Sequence, residues 1–363
     1  MTVSSVSAEC NDVRMRSTPT PPVTARPSGA VQLWALVGAL GVALAVSSWL
    51  RWIVSDDFQP PSPGPDKYGQ LWWLRTVEVL SLLLVVGFFY FCVVRPWQRE
   101  RRLTFDGKLL IACTLAYFVD PILNYYNHSF AMNAHALSRG AWAQFIPGYA
   151  SPGQGGFAEG VLWAGAMYTY FGLGAALVGC GVLNRLRRRY RRVSTVWLYA
   201  AVYLVFCVGD FLVEVPLFVL PKLYVFSGVP RFGTLWAGEI YQFPIYEMLL
   251  AGAFALGFTW LRDSRDDRGR SAVERGVDEL KVGARAKGLV SFLAICGAAL
   301  VIALVAYFLP YSWLSMKADS YPALPSYLRT AAYCGQPDRP LCPSQYIRQL
   351  ERDFGADGQR TGP

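Results

Sequence analysis

The stretch STVWLYAAVYLVFCVGDFLVEVPLFVL, residues 194–220, reads as one membrane-spanning helix with two acids set inside it. It exceeds the roughly 20 residues a helix needs to cross a bilayer. It holds no lysine or arginine, yet keeps Asp210 and Glu214. An acid at bilayer depth is costly, by at least about 2.5 kcal/mol, and so marks a place where it is used. Four positions apart, the two share one helical face. Just before them runs Asn184-Arg-Leu-Arg-Arg-Arg-Tyr-Arg-Arg192. Basic loops of this kind stay on the cytoplasmic side.

Six further runs have comparable length and apolarity: 31–54, 71–94, 108–127, 159–183, 237–261 and 288–310. Together they predict an all-α, polytopic membrane bundle of about seven transmembrane helices. The connections alternate in character. Arg95-Pro-Trp-Gln-Arg-Glu-Arg-Arg-Leu103, 184–192 and 262–287 are dense in arginine and lysine, whereas 55–70, 128–158 and 221–236 are rich in proline, glycine and aromatics. The positive-inside rule then puts the N-terminus inside and the C-terminus outside, in a multi-pass protein of the cell membrane. Residues 1–30, rich in Ser, Thr and Pro, read as a disordered N-terminal tail. The first apolar run is too long for a signal segment and is expected to be retained. The 128–158 connection forms a long outer loop, 262–287 a solvated connector, and 311–363 an extracytoplasmic tail that caps the bundle.

Composition agrees with this reading. Hydrophobic residues make up 53% and charged residues only 16%, which excludes an ordinary soluble domain. The net charge of +9 is confined to short loops between apolar runs. It therefore anchors topology and does not point to nucleic acid. Cys92, Cys113, Cys180, Cys207 and Cys296 fall in apolar helices, where a thiol behaves as a small hydrophobe. Cys334 and Cys342 share a proline-rich polar segment and are able to form a disulfide if it faces an oxidising space.

Counting depth at 1.5 Å per residue brings seven acids toward the outer side: Glu78, Asp120, Glu159, Asp210, Glu214, Glu239 and Glu247. Some have structural readings. Glu159 and Glu239 sit at helix starts, where a negative charge complements the macrodipole. Glu78 follows Arg75 by three residues, the spacing of an intrahelical pair. Asp120 precedes Pro121, which breaks the helix ladder. Asp210, Glu214 and Glu247 have neither a neighbouring cation nor a terminal role. Asp120, Asp210, Glu214 and Glu247 are the acid-base candidates. Asn124, Tyr125, His128, Glu78, Trp142, Tyr168 and Tyr246 are candidates for binding and orienting a substrate, with Trp163, Tyr170 and Tyr241 as further aromatic wall.

His128 and His135 belong to no ligand-spaced cluster, so no metal site is expected. There is no phosphate-binding loop and no dinucleotide fingerprint. Gly172-Leu-Gly174 and Gly179-Cys-Gly181 lie within a membrane helix, where small residues allow close packing. The last helix has no lysine between Gly288 and Pro310, which removes a retinal Schiff base there. No cofactor is indicated. The expected partners are the bilayer and a lipophilic small molecule. Paired acids in an apolar cavity repel one another's charge, so one keeps a proton while its neighbour is ionised. That is the equipment for general acid-base catalysis on a greasy substrate.

Asp120-Pro-Ile-Leu-Asn-Tyr-Tyr-Asn127, followed by Gly140-Ala-Trp142 and Ile146-Pro-Gly148, resembles the avermectin-type spirocyclase (AveC-like) family. So do the overall length, the polar outer loop and the Cys-Pro-containing C-terminal segment, over roughly residues 31–345. The resemblance implies a role in macrolide polyketide biosynthesis: closure of a dihydroxy-ketone into a spiroketal, with dehydration of the product in some members. It brings no catalytic motif with it, so the site residues above rest on their own placement. Two other readings stand beside it. A membrane terpenoid cyclase would use similar acids to protonate an alkene or epoxide. A non-enzymatic transporter or receptor would use them to bind protons or a cation.

Overall fold

In the computed structural model, residues 29–124, 127–148 and 156–329 are described, together with Leu341, Gln345 and Gln349. Tyr125, Cys334, Cys342 and the tail before Gly29 lie outside the described residues. The helices are α1 (Gly29–Ile53), α2 (Leu71–Phe89), α3 (Arg95–Glu100), α4 (Phe105–Ala116), α5 (Ala164–Thr169), α6 (Ala175–Arg189), α7 (Thr195–Glu214), α8 (Ile245–Asp263), α9 (Ala284–Ala303) and α10 (Leu309–Ser315). Several of these join end to end. Among the described residues five helices, four of them composite, are long and apolar enough to cross a membrane: Gly29–Ile53, Leu71–Glu100, Ala164–Arg189, Thr195–Val219 and Ala284–Ser315. With α4 and α8 the helical segments number seven, the number the hydropathy pattern predicts.

The joins are π turns, and proline explains three of them. Tyr90–Val94 precedes Pro96, Val215–Val219 contains Pro216, and Leu304–Phe308 precedes Pro310. Proline offers no N–H to the carbonyl four residues back, so the ladder loosens there. Cys92, four residues before Pro96, instead accepts a hydrogen bond from Thr104 Oγ1 at 3.5 Å. The fourth π turn, Tyr170–Gly174, carries two glycines. Pro121 has a related effect on the third span: α4 stops at Ala116 and tightens into a 3-10 turn, Tyr117–Asn124.

The two ends of the bundle differ in chemistry. At the basic end, Arg262 makes two 3.0 Å contacts with Asp106, through Nε and Nη2. Arg187 grips Asp263 with two 2.7 Å bonds, and Tyr199 donates to the same carboxylate at 2.7 Å. Lys108 reaches Glu274 at 3.0 Å and Ser291 at 2.5 Å. The 262–287 connection is therefore packed against the bundle and not simply solvated; Ser271, Val273, Glu274 and Val277 are buried.

At the opposite end, the connections knit into a cap. Strand β1 (Phe130–Met132) pairs antiparallel with β2 (Tyr224–Phe226), and β3 (Thr234–Leu235) with β4 (Phe243–Pro244). Ser227 Oγ donates to the His128 carbonyl, Asn133 Nδ2 to that of Lys222, and Gln242 Nε2 to those of Phe226 and Ser320. Residues 237–244 belong to this cap, so the sixth helix begins at Ile245, eight residues later than the apolar run implies. Glu239 thus lies in a loop, and Glu159 lies five residues before α5 starts. Neither occupies the helix start expected of it.

Helix α1 is fixed to α9 by a glycine crossing. A Cβ on Gly38 would fall 1.9 Å from the Leu293 carbonyl oxygen, and one on Gly297 2.3 Å from that of Trp34. The backbones touch because neither side carries an atom there.

Candidate active site

Beneath the β1–β2 pair lies a cavity with about 700 Å³ of space free of protein atoms, counting its mouth. Its floor and walls come from the 3-10 turn, α5 with its π turn, α7 with its π turn, α8 and the π turn after α9. Side chains alternate along a strand, so Phe130 and Met132 both face inward, and Tyr224, paired with Met132, joins them. Aromatic rings supply much of the lining. Trp163 stacks on Tyr224 with centroids 5.5 Å apart and planes 12° apart. Phe130 stacks on the same tyrosine at 4.5 Å, and Tyr168 on Phe308 at 6.1 Å.

Four carboxyl groups enter this apolar space: Asp120, Asp210, Glu214 and Glu247. Three have a tyrosine as hydroxyl donor. Tyr168 Oη lies 2.5 Å from Asp120 Oδ1, Tyr224 Oη lies 2.5 Å from Glu214 Oε1, and Tyr307 Oη bonds Glu247 Oε1. Asp210 sits one turn from Glu214 on α7 and lines the same cavity. Burial first, then the charge of Glu214, pushes the Tyr224 hydroxyl well above the ordinary phenol value, which keeps it a donor. Glu247 Oε2 is buried and has no hydrogen-bond partner among the described residues.

The four carboxyl groups and the hydroxyl-bearing rings of Tyr168, Tyr224 and Tyr307 thus line one apolar cavity. It also holds nothing like a metal cluster: no group of three or more His, Cys, Asp or Glu side chains suited to an ion occurs among the described residues.

The other sequence candidates are placed differently. Asn124 braces the cap, giving Nδ2 to the Phe130 carbonyl at 2.9 Å and taking the Ser129 and Phe130 amides on Oδ1. His128 is buried edge-on to Phe157, away from the cavity lining. Glu78 pairs with Arg75 and accepts the Leu137 amide at 2.7 Å, so it docks the segment that carries Leu137. Trp142 is wedged among Trp49, Trp52 and Tyr117 and donates Nε1 to the Phe118 carbonyl at 2.8 Å. Tyr246 packs edge-on against Tyr311, beside Glu247 but outside the lining. Tyr168 does line the cavity.

Two participants escape the sequence reading. Tyr224 sits in a loop segment that only becomes lining through its pairing with β1. Tyr307 lies in the run Val301-Ile-Ala-Leu-Val-Ala-Tyr307-Phe-Leu. A tyrosine amid such residues needs a buried partner for its hydroxyl, and that requirement is the signal that could have found it.

No curated protein and no solved structure matches the chain. A family model does, over residues 100–332, a span that contains every residue lining the cavity. The chain belongs to the spirocyclase AveC-like family.

Proposed function

We propose that this protein is a spiroketal cyclase that closes a lipophilic dihydroxy-ketone polyketide by general acid-base catalysis. The observation that carries the reading is the meeting of Asp120, Glu214 and Glu247, from three separate elements, in one aromatic cavity.

The chemistry needs only proton transfers. One substrate hydroxyl adds to the ketone, giving a hemiketal. Glu247, through Oε2, protonates the hemiketal hydroxyl, which leaves as water. The oxocarbenium ion lies among the aromatic rings that line the cavity, whose quadrupoles favour a cation. The second hydroxyl attacks, and Asp120 accepts its proton as the C–O bond closes. One proton is given, one is taken, and one water departs. Water then returns the proton from Asp120 to Glu247. Walls that hold one chain conformer fix the configuration of the spiro carbon.

The test is to incubate the protein in lipid vesicles with a dihydroxy-ketone and follow spiroketal formation. Stereopure spiroketal supports the reading; racemic product at the uncatalysed rate contradicts it. Alkene cyclisation or proton-coupled uptake would instead support the terpenoid-cyclase or transporter reading.

We further place the basic end of the bundle in the cytoplasm of a cell membrane, on the positive-inside rule. The cap then faces outward, and a greasy substrate reaches the cavity from the bilayer. Phe232, 97% exposed on the cap, provides the check. A Phe232→Cys thiol should react with an impermeant maleimide in sealed cells. Labelling only after lysis would reverse the orientation.

A further inference from the structure

Four acids line the cavity, yet no lysine, arginine or histidine stands with them. A crossing of α7 and α8 sets the level of three. A Cβ on Gly252 would fall 2.5 Å from Cys207 Sγ and 3.3 Å from the Cys207 amide nitrogen, so the two helices approach closely there. Helix α7 runs toward the cap and α8 away from it, and the Phe211 and Phe243 rings meet on the cap side with centroids 5.3 Å apart. At 1.5 Å per residue, Glu247 stands about 7.5 Å from the crossing on that side, between Asp210 at about 4.5 Å and Glu214 at about 10.5 Å. Asp210 and Glu214 follow Cys207 by three and seven residues, which puts both on the face of α7 that meets α8.

Glu214 and Glu247 are only 6% and 3% exposed. Oε2 of each, like Oδ2 of Asp210, is buried with no hydrogen-bond partner among the described residues. Tyr224 and Tyr307 occupy the Oε1 atoms. Acids at one level of an apolar cavity, with no cation beside them, cannot all be ionised, so protons neutralise part of the group. A ligand carrying one positive charge and several N–H donors would replace such a proton and satisfy the oxygens left over. An alkylammonium has three donors on a single nitrogen, and the surrounding rings favour its charge. A metal ion fits less well, since no three of these acids are grouped to hold one among the described residues.

We propose that the cavity binds a lipophilic primary amine in its ammonium form, held by the unpartnered oxygens of Glu214 and Glu247 beside Asp210, in exchange for one carboxyl proton. The ammonium enters and one proton leaves, so the charge of the cavity is constant and no lone cation is buried. The site is the one assigned to cyclisation, and a bound amine excludes the dihydroxy-ketone from it. The binding itself needs no turnover and does not rest on the cyclase reading.

The test uses phenylbutylamine, with phenylbutanol as its neutral counterpart, titrated calorimetrically into the purified protein in detergent micelles and into empty micelles. The amine should bind at least about 30-fold more tightly than the alcohol, the scale of a buried charge pair. Buffers of different ionisation enthalpy should report one proton released per amine, and affinity should rise about tenfold per pH unit between about pH 6 and 8. Glu214→Gln and Glu247→Gln should each weaken the amine on the order of 30-fold, with the thermal midpoint of the unliganded variant as the check on folding. Equal affinity for amine and alcohol, amine binding without proton release, heat from the micelles alone, or wild-type amine affinity in both folded variants would overturn the proposal. The first three comparisons use wild-type protein and stand even if a variant does not fold. Amine binding without spiroketal formation would sink the cyclase reading alone.

Discussion

Tyr168 gives its hydroxyl to Asp120 across 2.5 Å, tying the first turns of the fourth span to the broken end of the third. The same motif recurs with Tyr224 on Glu214 and Tyr307 on Glu247. Each tyrosine fixes one carboxyl oxygen. Replacing any of the three by phenylalanine removes one hydrogen bond to a carboxyl group while keeping the ring. Each change should lower kcat by about tenfold, measured as the rate of spiroketal formation. Unaltered kcat in all three would mean that these hydroxyls only stabilise the fold.

Ala251 lines the cavity from α8. Ala251→Trp should occupy the substrate's space while disturbing the packed core little. The expected outcome is loss of most turnover, on the order of 100-fold or more if a near-attack geometry is displaced. The thermal midpoint in detergent should stay close to wild type. Full activity in that variant would place the substrate elsewhere.

Gly38 predicts a stability effect with no connection to chemistry. A side chain there meets the Leu293 carbonyl at the α1–α9 crossing. Backbone cannot step aside as a flexible side chain does, so Gly38→Leu should destabilise by about 1–3 kcal/mol or more. Thermal unfolding in detergent reads this directly. Gly87, with open space where its Cβ would stand, is the control: Gly87→Ala should leave the midpoint unchanged or raise it.

His135 sets a pH dependence on the cap. Its ring stacks on Tyr68 with centroids 5.6 Å apart. Burial first, and the charge of Arg75 second, hold its pKa below the ordinary 6.5. The unfolded chain thus binds the proton more readily than the folded one, and stability must rise with pH. This contribution is fully present above pH 6.5 and disappears as pH falls through the lower folded value. Stability of His135→Phe should vary less across that acidic window. An equal slope in the two proteins would remove His135 as the cause.

How far the sequence reaches depends on which physical signal a residue carries. Apolar length and the alternation of basic loops mark seven helices, because both are local properties of the chain. Asp210, Glu214 and Glu247 stand out for the same reason: an acid within an apolar run is conspicuous without any knowledge of its neighbours. Asp120 was legible beside Pro121. Glu159 was not, because its apolar surroundings run on continuously into α5, and the helix start was placed five residues early. Trp142 and His128 look like site residues in a polar loop, yet tertiary packing buries both outside the cavity lining. Glu78 followed its local pairing with Arg75. Tyr224 and Tyr307 were invisible because their partners are 10 and 60 residues away.

The most direct measurement is stereochemical turnover by isosteric carboxyl variants in vesicles. Asp120→Asn, Asp210→Asn, Glu214→Gln and Glu247→Gln would each be compared with wild type at matched expression and folding. Removal of a general acid or base typically costs about 10²–10⁴-fold. The account predicts losses of that order for Asp120→Asn and Glu247→Gln, smaller losses for the other two, and eroded stereopurity in what product remains. Wild-type rates and a single spiroketal isomer from all four folded variants would contradict it.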